Sequence, residues 1–250
     1  MGAEEGYGAI ILAAGKGTRM NSDLAKVLHP LLGIPMLEYP LAAVREAGAG
    51  RIAVVIGHQS EQIRETFRDR GLIFVEQLRQ LGTGHAVLQA REVFRGYDGA
   101  VLILCGDVPL IRPETLRALV ASHCSGGATV TVLTAILEEP GGYGRVVKTD
   151  DGRVLKIVEA RDASEGEKKI REINTGLYCV ESRFLFDAVA RLGNRNTQGE
   201  YYLTDIVEMA CGEGLVVDSC AAADPFEVMG INTREDLERA CRWMASRDCR

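Results

Sequence analysis

Two cationic side chains stand beside a glycine-rich loop near the beginning of the chain. The loop at residues 12–20 has the sequence LAAGKGTRM and includes Arg19, and Lys26 follows seven residues after Arg19. Small residues let a phosphate approach the backbone N–H groups, and two nearby cations suit a polyphosphate whose charge is redistributed during a reaction. The same residues are also compatible with an ordinary βα turn that carries exposed cations.

Two common phosphate-binding patterns do not fit this loop. The dinucleotide fingerprint requires a third glycine where Met20 stands, and the P-loop requires Gly-Lys followed by Ser or Thr after four spacer residues. A nicotinamide-dependent oxidoreductase would rest on the glycine loop alone, so the sequence disfavours that class of enzyme.

Short apolar runs alternate with amphipathic segments in the first half of the chain, which predicts βαβ units and a mainly parallel sheet. Buried strands are expected at residues 9–12, 52–56, 73–75 and 101–104. Helices are expected at residues 37–47, at 60–67 with Ser60 as the cap, at 84–94 and from Pro113 onward. The glycine-rich loop follows the first strand directly, so we expect it at the carboxyl edge of the sheet, where α/β proteins bind ligands.

The pattern changes after residue 128, where strands with hairpin-like connections predict a mixed sheet. These strands are expected at residues 129–137, 145–148, 154–159 and 175–180. Residues 161–172 carry eight charged side chains in twelve positions and no apolar stripe, which is typical of a solvated loop or a lid. Thr233 and Asp236 form a capping-box pair ahead of an apolar stripe, which predicts a C-terminal helix at about residues 233–246.

Composition and charge argue against several classes of function. The 250 residues are 46% hydrophobic and 26% charged, and the net charge of −6 comes without a basic stripe, so nucleic-acid binding is disfavoured. No apolar run approaches the roughly 20 residues of a membrane span, and the first six residues lack the basic cluster of a signal peptide. Seven cysteines without a CxxC pair and four histidines without zinc spacing predict a cytoplasmic protein with neither a disulfide nor zinc.

Residues 12–29 and seven further segments, in the same order along the chain, resemble the sugar-1-phosphate nucleotidylyltransferases. The seven segments are Gln77 with QLGTGHA at 80–86, GDVPL at 106–110, YGR at 143–145, IVE at 157–159, INTG at 173–176, residues 198–205 and GIN at 230–232. The resemblance is strongest to the bacterial N-acetylglucosamine-1-phosphate uridylyltransferases. It implies a Rossmann-like α/β fold with three layers around a mixed, mainly parallel sheet of the nucleotidyltransferase (GT-A-like) type.

The resemblance also implies an organisation and a reaction. Residues 1–250 would form a single nucleotidyltransferase domain, with a nucleotide-binding half at about 7–110, a sugar-binding half at about 111–232 and the helix at about 233–246. With Mg²⁺, the protein would transfer UMP from UTP to N-acetylglucosamine-1-phosphate, giving the cell-wall precursor UDP-N-acetylglucosamine and pyrophosphate. Some members of the family continue into a β-helix acetyltransferase domain, and we expect none within these residues. The oligomeric state stays open.

The same resemblance assigns roles to individual residues. Arg19 would hold the triphosphate and Lys26 the transferring phosphoryl group, and both are the expected catalytic residues. The expected nucleotide-binding residues are Leu12, Ala14, Gly15, Gly17, Gln77, Gly82 and Thr83, with Gln77 reading the uracil edge. The expected sugar-binding residues are Gly144, Glu159, Asn174, Tyr202 and Thr204, and the expected metal ligands are Asp107 and Asn232. His85 is expected to be structural, and Cys105 stands where the family often carries an aromatic side chain.

Two alternative functions stay open at this point. The first is the same chemistry with another sugar-1-phosphate or another nucleotide, because base and sugar selection depend on a few pocket contacts. The second is a noncatalytic module that binds a nucleotide sugar. The presence of Arg19, Lys26, Asp107 and Asn232 speaks against this second function.

Overall fold

The strands expected from the apolar runs form the centre of the protein. The structure is a computed structural model that describes residues 6–20 and 22–247. The strands of the first half are β1 (Gly8–Ala13), β2 (Pro30–Leu31), β3 (Ile34–Pro35), β4 (Arg51–Ile56), β5 (Ile73–Glu76) and β6 (Ala100–Cys105). Those of the second half are β7 (Val130–Ile136), β8 (Arg145–Lys148), β9 (Val154–Val158), β10 (Glu172–Glu181) and β11 (Val217–Ala221).

Helices connect most of these strands. They are α1 (Glu38–Ala47), α2 (Ser60–Thr66), α3 (Thr83–Gln89), α4 (Pro113–Gly126), α5 (Ser182–Arg191), α6 (Asp205–Gly212) and α7 (Arg234–Arg247). Short 3₁₀ turns lie between them, including one at Pro225–Val228 that precedes α7. No helix in residues 6–20 and 22–247 combines the length and the apolar character needed to cross a membrane.

The main sheet has the strand order β11-β7-β10-β6-β1-β4-β5, and β8 pairs with β10 and β9 at one side. Strand β1 lies parallel to β4 and β6, β4 lies parallel to β5, and β11 lies parallel to β7. Strand β10 is antiparallel to both β6 and β7. The predicted α/β class with a mixed, mainly parallel sheet is therefore confirmed.

Alternate positions of the central strands fill two apolar layers on opposite faces of the sheet. Ile10 and Ile103 belong to one buried cluster, which also contains residues of α3, α5 and α6. Ile11 and Leu102 belong to the other, which contains residues of α1, α2 and α4. Because both faces are covered, the central parallel strands β1, β4 and β6 have continuous apolar sequences instead of alternating ones.

A third apolar cluster joins α7 to the β2–β3 hairpin. Leu31 and Met36 are fully buried there against residues of α7. The ring of Trp243 in α7 stacks on Phe226, with 5.5 Å between ring centroids. The helix begins with the predicted capping pair, because Asp236 N–H donates to Thr233 Oγ1 at 3.1 Å and Thr233 N–H donates to Asp236 Oδ2 at 3.0 Å. The apolar cluster therefore holds α7 against the β2–β3 hairpin and against Phe226 in the preceding 3₁₀ turn.

Several expected elements differ from the observed ones at their ends. Ser60 is the first residue of α2 and not its cap, since Gln59 takes the cap position with φ +56°. The helix expected at residues 84–94 is α3 followed by a separate 3₁₀ turn at Ala90–Glu92. Strand β10 is longer than expected because it pairs with three neighbours, β6, β7 and β8. The sequence did not predict α5, α6 or β11 as separate elements.

Candidate active site

The loops that follow β1 and β6 meet at the carboxyl edge of the sheet. Leu12 and Cys105 are paired in the parallel register of these two strands. Gly106 N–H then donates to the Leu12 carbonyl oxygen at 2.9 Å, which keeps the two chain segments together as they leave the sheet. Asp107 therefore lies beside the glycine-rich loop, as the position of both segments after parallel strands requires.

Four side chains from distant parts of the sequence converge at this edge. Lys26 Nζ forms an ion pair with Asp107 Oδ2 and donates to Asn232 Oδ1 at 2.9 Å. Arg19 Nη2 donates to the same Asn232 oxygen at 2.8 Å, although the two residues are 213 positions apart. The structure thus brings both expected catalytic cations and both expected metal ligands into one cluster.

The two glycines of the loop have different structural roles. Gly17 has φ +58°, and a Cβ atom built on it would lie 2.5 Å from Lys26 Cβ, so only glycine lets the Lys26 stem pass. A Cβ atom on Gly15 would meet nothing within 4 Å, because Gly15 borders open space. Gly15 is therefore placed to approach a ligand, whereas Gly17 acts through Lys26.

A cavity of about 460 Å³ opens next to the charge cluster. Its size suits a nucleotide-sized molecule. The lining includes six of the seven residues expected to bind the nucleotide, all except Gly17, together with Lys26 and Asp107. The chain also contributes residues that the sequence did not single out, among them Lys16, Gln80 and Glu200.

Gln77 is 3% exposed, and its amide group contacts other residues of the protein. Its Nε2 atom lies 3.0 Å from the Gly82 carbonyl oxygen and 3.0 Å from His85 Nδ1. These contacts fix the turn that begins α3 and leave the Gln77 Oε1 atom outside them. Burial, followed by the nearby Arg79 charge, lowers the pKa of His85, so its ring is neutral and serves as a partner for amide groups. These contacts support the expectation of a structural His85.

A second cavity of about 220 Å³ adjoins the first and shares Leu12, Thr83 and Cys105 with it. Four of the five expected sugar-binding residues line it: Gly144, Glu159, Asn174 and Thr204. Cys105 lies at the boundary, with Sγ 3.8 Å from the Gly176 carbonyl oxygen. Burial raises the pKa of Cys105 to about 12, so the thiol is neutral and is no nucleophile.

A β-bulge in β10 carries Asn174 into the second cavity. The register with β7 shifts between Asn174 and Leu177, and Gly176 has φ +81° within this irregular segment. Asn174 N–H donates to the Gly144 carbonyl oxygen at 2.9 Å, and Asn174 Oδ1 accepts from Gly176 N–H at 3.1 Å. The backbone thereby fixes the amide beside Gly144.

Glu159 is the carboxylate of the second cavity. Burial raises the pKa of Glu159, and the nearby carboxylates of Asp205, Asp162 and Glu200 raise it further. The Thr204 hydroxyl donates to Glu159 Oε1 at 3.3 Å and opposes this shift. An acceptor of this kind, held by a hydroxyl in an acidic environment, suits the hydroxyl donors of a sugar.

Asp107 and Asn232 have the chemistry of a divalent-cation site that is completed by a ligand. The described residues contain no group of three or more His, Cys, Asp or Glu side chains able to hold a metal ion. One carboxylate oxygen of Asp107 and the amide oxygen of Asn232 nevertheless converge on the same Lys26 Nζ atom. Mg²⁺ takes oxygen ligands and commonly uses one or two protein groups together with substrate phosphates. The residues present therefore fit a Mg²⁺ ion shared with a phosphate ligand.

A comparison with protein families identifies the family of this chain. Residues 9–199 match the model of the MobA-like NTP transferase domain. The chain belongs to this family.

Curated relatives sharpen the comparison. The chain is 56% identical over 240 residues to the bifunctional protein GlmU of Geobacter metallireducens, a match that covers 96% of this chain and 50% of that protein. It is 57% identical over 235 residues to the GlmU of Geobacter sulfurreducens, covering 94% of this chain and 49% of that protein. For the GlmU of Geobacillus thermodenitrificans, the identity is 47% over 242 residues, with 97% and 52% covered. The chain thus spans about half the length of the curated relatives it matches, and the predicted resemblance is confirmed.

One expected sugar-binding residue of this NTP transferase domain lies outside both cavity linings. Tyr202 is buried, and its hydroxyl donates to Asp162 Oδ2 at 3.2 Å and accepts from Gln198 Nε2 at 2.9 Å. Tyr202 therefore ties the charged segment at residues 161–172 to the neighbouring loop. Asp162 is three residues after Glu159, so a role of Tyr202 at the second cavity would be indirect.

The residues missed by sequence reasoning were close to those it found. Gln80 is in the same turn as Gln77, to whose carbonyl oxygen its Nε2 atom donates at 3.1 Å. Lys16 lies between the two loop glycines. Tyr143 lines the second cavity, and its hydroxyl accepts from Gly230 N–H at 3.2 Å, two residues before Asn232. The motifs contained all three residues, but nothing in the sequence joins Tyr143 to Gly230.

Proposed function

We propose that this protein transfers UMP from UTP to N-acetylglucosamine-1-phosphate and releases pyrophosphate. The observation that carries the proposal is the convergence of Arg19, Lys26, Asp107 and Asn232 beside two adjoining cavities. One cavity presents cations and glycine backbone, which suit phosphates, and the other presents acceptors, which suit sugar hydroxyls. The similarity to proteins named GlmU supports the choice of substrates.

In the proposed reaction, a phosphate oxygen of the sugar-1-phosphate attacks the α-phosphorus of UTP. A new P–O bond forms there, the bond between the α-phosphorus and the α–β bridging oxygen breaks, and pyrophosphate leaves with that electron pair. The attacking phosphate oxygen is already anionic, so no side chain needs to remove a proton. Catalysis consists of alignment and charge stabilisation.

Lys26 is the residue best placed for charge stabilisation. Its side chain is 14% exposed, lines the first cavity together with Asp107, and contacts both Asp107 and Asn232. With a triphosphate present, Lys26 would exchange its contact with Asp107 for phosphate oxygens, and Arg19 would bind the outer phosphates. A partly buried cation acts more strongly on developing charge than an exposed one, because the surrounding dielectric is lower.

Asp107 and Asn232 would hold a Mg²⁺ ion in this proposal. When bound, the ion would neutralise part of the charge on the phosphate oxygens. Recognition of the base and of the sugar would depend on side chains of the protein itself. Gln77 Oε1 would accept from the uracil N3–H group, while Glu159 and Asn174 would fix the amino sugar beside the α-phosphorus.

The direct test is pyrophosphate release by purified protein with UTP, Mg²⁺ and N-acetylglucosamine-1-phosphate. Parallel reactions replace the sugar by glucose-1-phosphate or N-acetylgalactosamine-1-phosphate, replace UTP by dTTP, or add EDTA. Metal-dependent turnover with a preference for the first pair supports the proposal. A preference for another pair would show the same chemistry with different selectivity, and binding of UDP-sugar without turnover would show a noncatalytic module.

A further inference from the structure

Glu227 is a buried carboxylate outside both cavities. Its side chain is 1% exposed, and it lies in the 3₁₀ turn Pro225–Val228 that precedes α7. Arg112 Nη2 forms an ion pair with Glu227 Oε1, and the Thr115 hydroxyl donates to Glu227 Oε2 at 2.6 Å. A carboxylate can be buried in this way only if partners replace its lost hydration.

The partners of Glu227 connect the chain segments that carry the two expected metal ligands. Arg112 is the cap of α4 and Thr115 is in its first turn, five and eight residues after Asp107. Glu227 itself is five residues before Asn232. The ion pair and the hydrogen bond therefore cross-link the chain segment that carries Asp107 to the segment that carries Asn232.

Backbone contacts extend this link up to the ligands themselves. Ile231 N–H donates to the Asp107 carbonyl oxygen at 2.8 Å, and the Ile231 side chain is buried. Asn232 N–H donates to Asp236 Oδ2 at 3.0 Å, and Asn232 Nδ2 donates to the Gly230 carbonyl oxygen at 3.3 Å. These bonds orient Asn232, whereas Glu227 fixes the start of the segment that delivers it.

Glu227 is buried whereas the Arg112 side chain is 43% exposed, so the net stability from this ion pair is small once the desolvation of the carboxylate offsets the attraction. What such a pair does supply is a defined geometry, since an alternative packing would leave a charge unpaired in the interior. Asp107 and Asn232 approach each other closely enough to contact one Lys26 Nζ atom, and two oxygen ligands bind a cation well only at a fixed separation. Glu227 is placed to fix that separation.

We propose that Glu227 is a positioning residue that sets the geometry of the Asp107–Asn232 pair and thereby the affinity of the site for a divalent cation with nucleotide. This inference rests on the proposed function, because it takes these two side chains as metal ligands. Glu227 touches neither cavity and acts through the segment at residues 228–232.

The test uses two variants of the full chain and a matched control. Glu227→Gln keeps the length of the side chain and removes its charge. The double variant Glu227→Leu with Arg112→Met replaces the ion pair by uncharged side chains, so it leaves no buried charge without its partner. Glu114→Gln is the control, because Glu114 is an exposed carboxylate in the same first turn of α4 and pairs with Arg117.

The primary readout is Mn²⁺ binding in the presence of a non-hydrolysable UTP analogue, measured from the free Mn²⁺ EPR signal. Both Glu227 variants should bind Mn²⁺ about 10-fold more weakly than the parent chain, the usual effect of disturbing a residue behind a metal ligand. The Mg²⁺ concentration needed for half-maximal turnover should rise by a similar factor, and the KM for sugar phosphate should stay unchanged. The Glu114→Gln control should match the parent chain in Mn²⁺ affinity, in the Mg²⁺ requirement and in the KM for sugar phosphate.

The double variant separates positioning from stability. If it melts at or above the parent Tm and still loses Mn²⁺ affinity, the role of Glu227 is positional. If either folded Glu227 variant binds Mn²⁺ as tightly as the parent, the inference is wrong, whatever the Tm. Should Glu227→Gln fail to fold, the double variant alone decides. A parent chain that neither binds Mn²⁺ nor turns over UTP would overturn the proposed function and this inference together, an outcome distinct from a difference between variants.

Discussion

The first cavity is lined by cations and glycine backbone from loops after parallel strands, whereas the second is lined by a carboxylate, an amide and hydroxyls from antiparallel strands and their connections. The loops of the first follow β1, β5 and β6, whose carboxyl ends share one sheet edge. The second depends on the bulge of β10 and on the end of β9. Within residues 6–20 and 22–247, only Leu12, Thr83 and Cys105 line both cavities.

This contrast separates two kinds of recognition. Phosphate binding needs backbone N–H groups and positive charge, which a single loop after a strand can supply. Sugar binding needs several acceptors and donors in fixed directions, which under the proposed function would come from the four separate segments that carry Gly144, Glu159, Asn174 and Thr204. Mutations in the first cavity should therefore reduce the rate of the chemical step, and mutations in the second should change sugar affinity and leave UTP affinity unaltered.

The largest effect is expected for Lys26→Ala. Removal of a cation that stabilises transition-state charge should lower kcat/KM by about 10²–10³-fold. The control is Lys148→Ala, because Lys148 forms a comparably shielded ion pair with Glu172, at 2.7 Å, outside both cavities. Steady-state kinetics on both variants check the prediction. If Lys26→Ala kept most of its kcat/KM while folded, the assigned role of Lys26 would be wrong.

A smaller and more selective effect is expected for Glu159→Gln. The amide oxygen is a weaker acceptor for sugar hydroxyls than a carboxylate, so the KM for sugar phosphate should rise about 10-fold. The KM for UTP should stay unchanged, since Glu159 lines only the second cavity. Glu208→Gln, at an exposed position of α6, is the control. Equal changes in both KM values would remove the distinction between the cavities.

The pH dependence of sugar binding should sharpen the same distinction. Burial raises the pKa of Glu159, so this carboxylate takes up a proton at a higher pH than an ordinary glutamate. Since the charged form is the better acceptor, sugar affinity should fall as the pH is lowered through this raised pKa. This fall in affinity is measured as a rise in the KM for sugar phosphate from neutral to acidic pH. The Glu159→Gln variant should lack this component, because its amide does not titrate, and an identical profile in both proteins would contradict the assignment.

The smallest effect concerns stability beside the second cavity. Burial, with the Glu208 and Asp162 charges, raises the pKa of Asp205 to about 6. The folded protein then binds a proton at Asp205 more tightly than the unfolded chain does. Protonated Asp205 therefore stabilises the fold at low pH, and this contribution is lost as the pH rises through the raised pKa.

Asp205→Asn should therefore raise the Tm at neutral pH by about 2–4 °C, equivalent to about 1 kcal/mol in this partly solvated position. The advantage should vanish at pH values low enough to protonate Asp205 in both states. Thermal melts at several pH values measure it. Asp69→Asn, at an exposed position, should change the Tm little, and an Asp205→Asn variant less stable than the parent at neutral pH would contradict the sign.

Much of the fold could be predicted because its signals are local. The apolar runs at β1, β4 and β6 are short, continuous and bounded by turn residues, as strands buried on both faces must be. The run at residues 73–75 also forms a strand, but β5 lies at the edge of the sheet and Ile73 is exposed, so the expected full burial is wrong there. Helix α5 also had a signal that could have been used, since Phe184, Leu185, Ala188 and Val189 lie on one face. Strand β11 has none of this character, because it is only half-buried and contains Asp218 and Ser219.

The sequence by itself determined which residue types stand at the strand ends and, through the order of its motifs, which chemistry they suit. Only the tertiary structure decided that Asn232 accepts from both Arg19 and Lys26, that Gln77 uses its amino group on Gly82 and His85, and that Tyr202 turns to Asp162. The physical reason is the separation along the sequence between the residues that interact. Strand and turn preferences depend on near neighbours, whereas contacts across more than 200 positions depend on how the whole sheet and its helices pack.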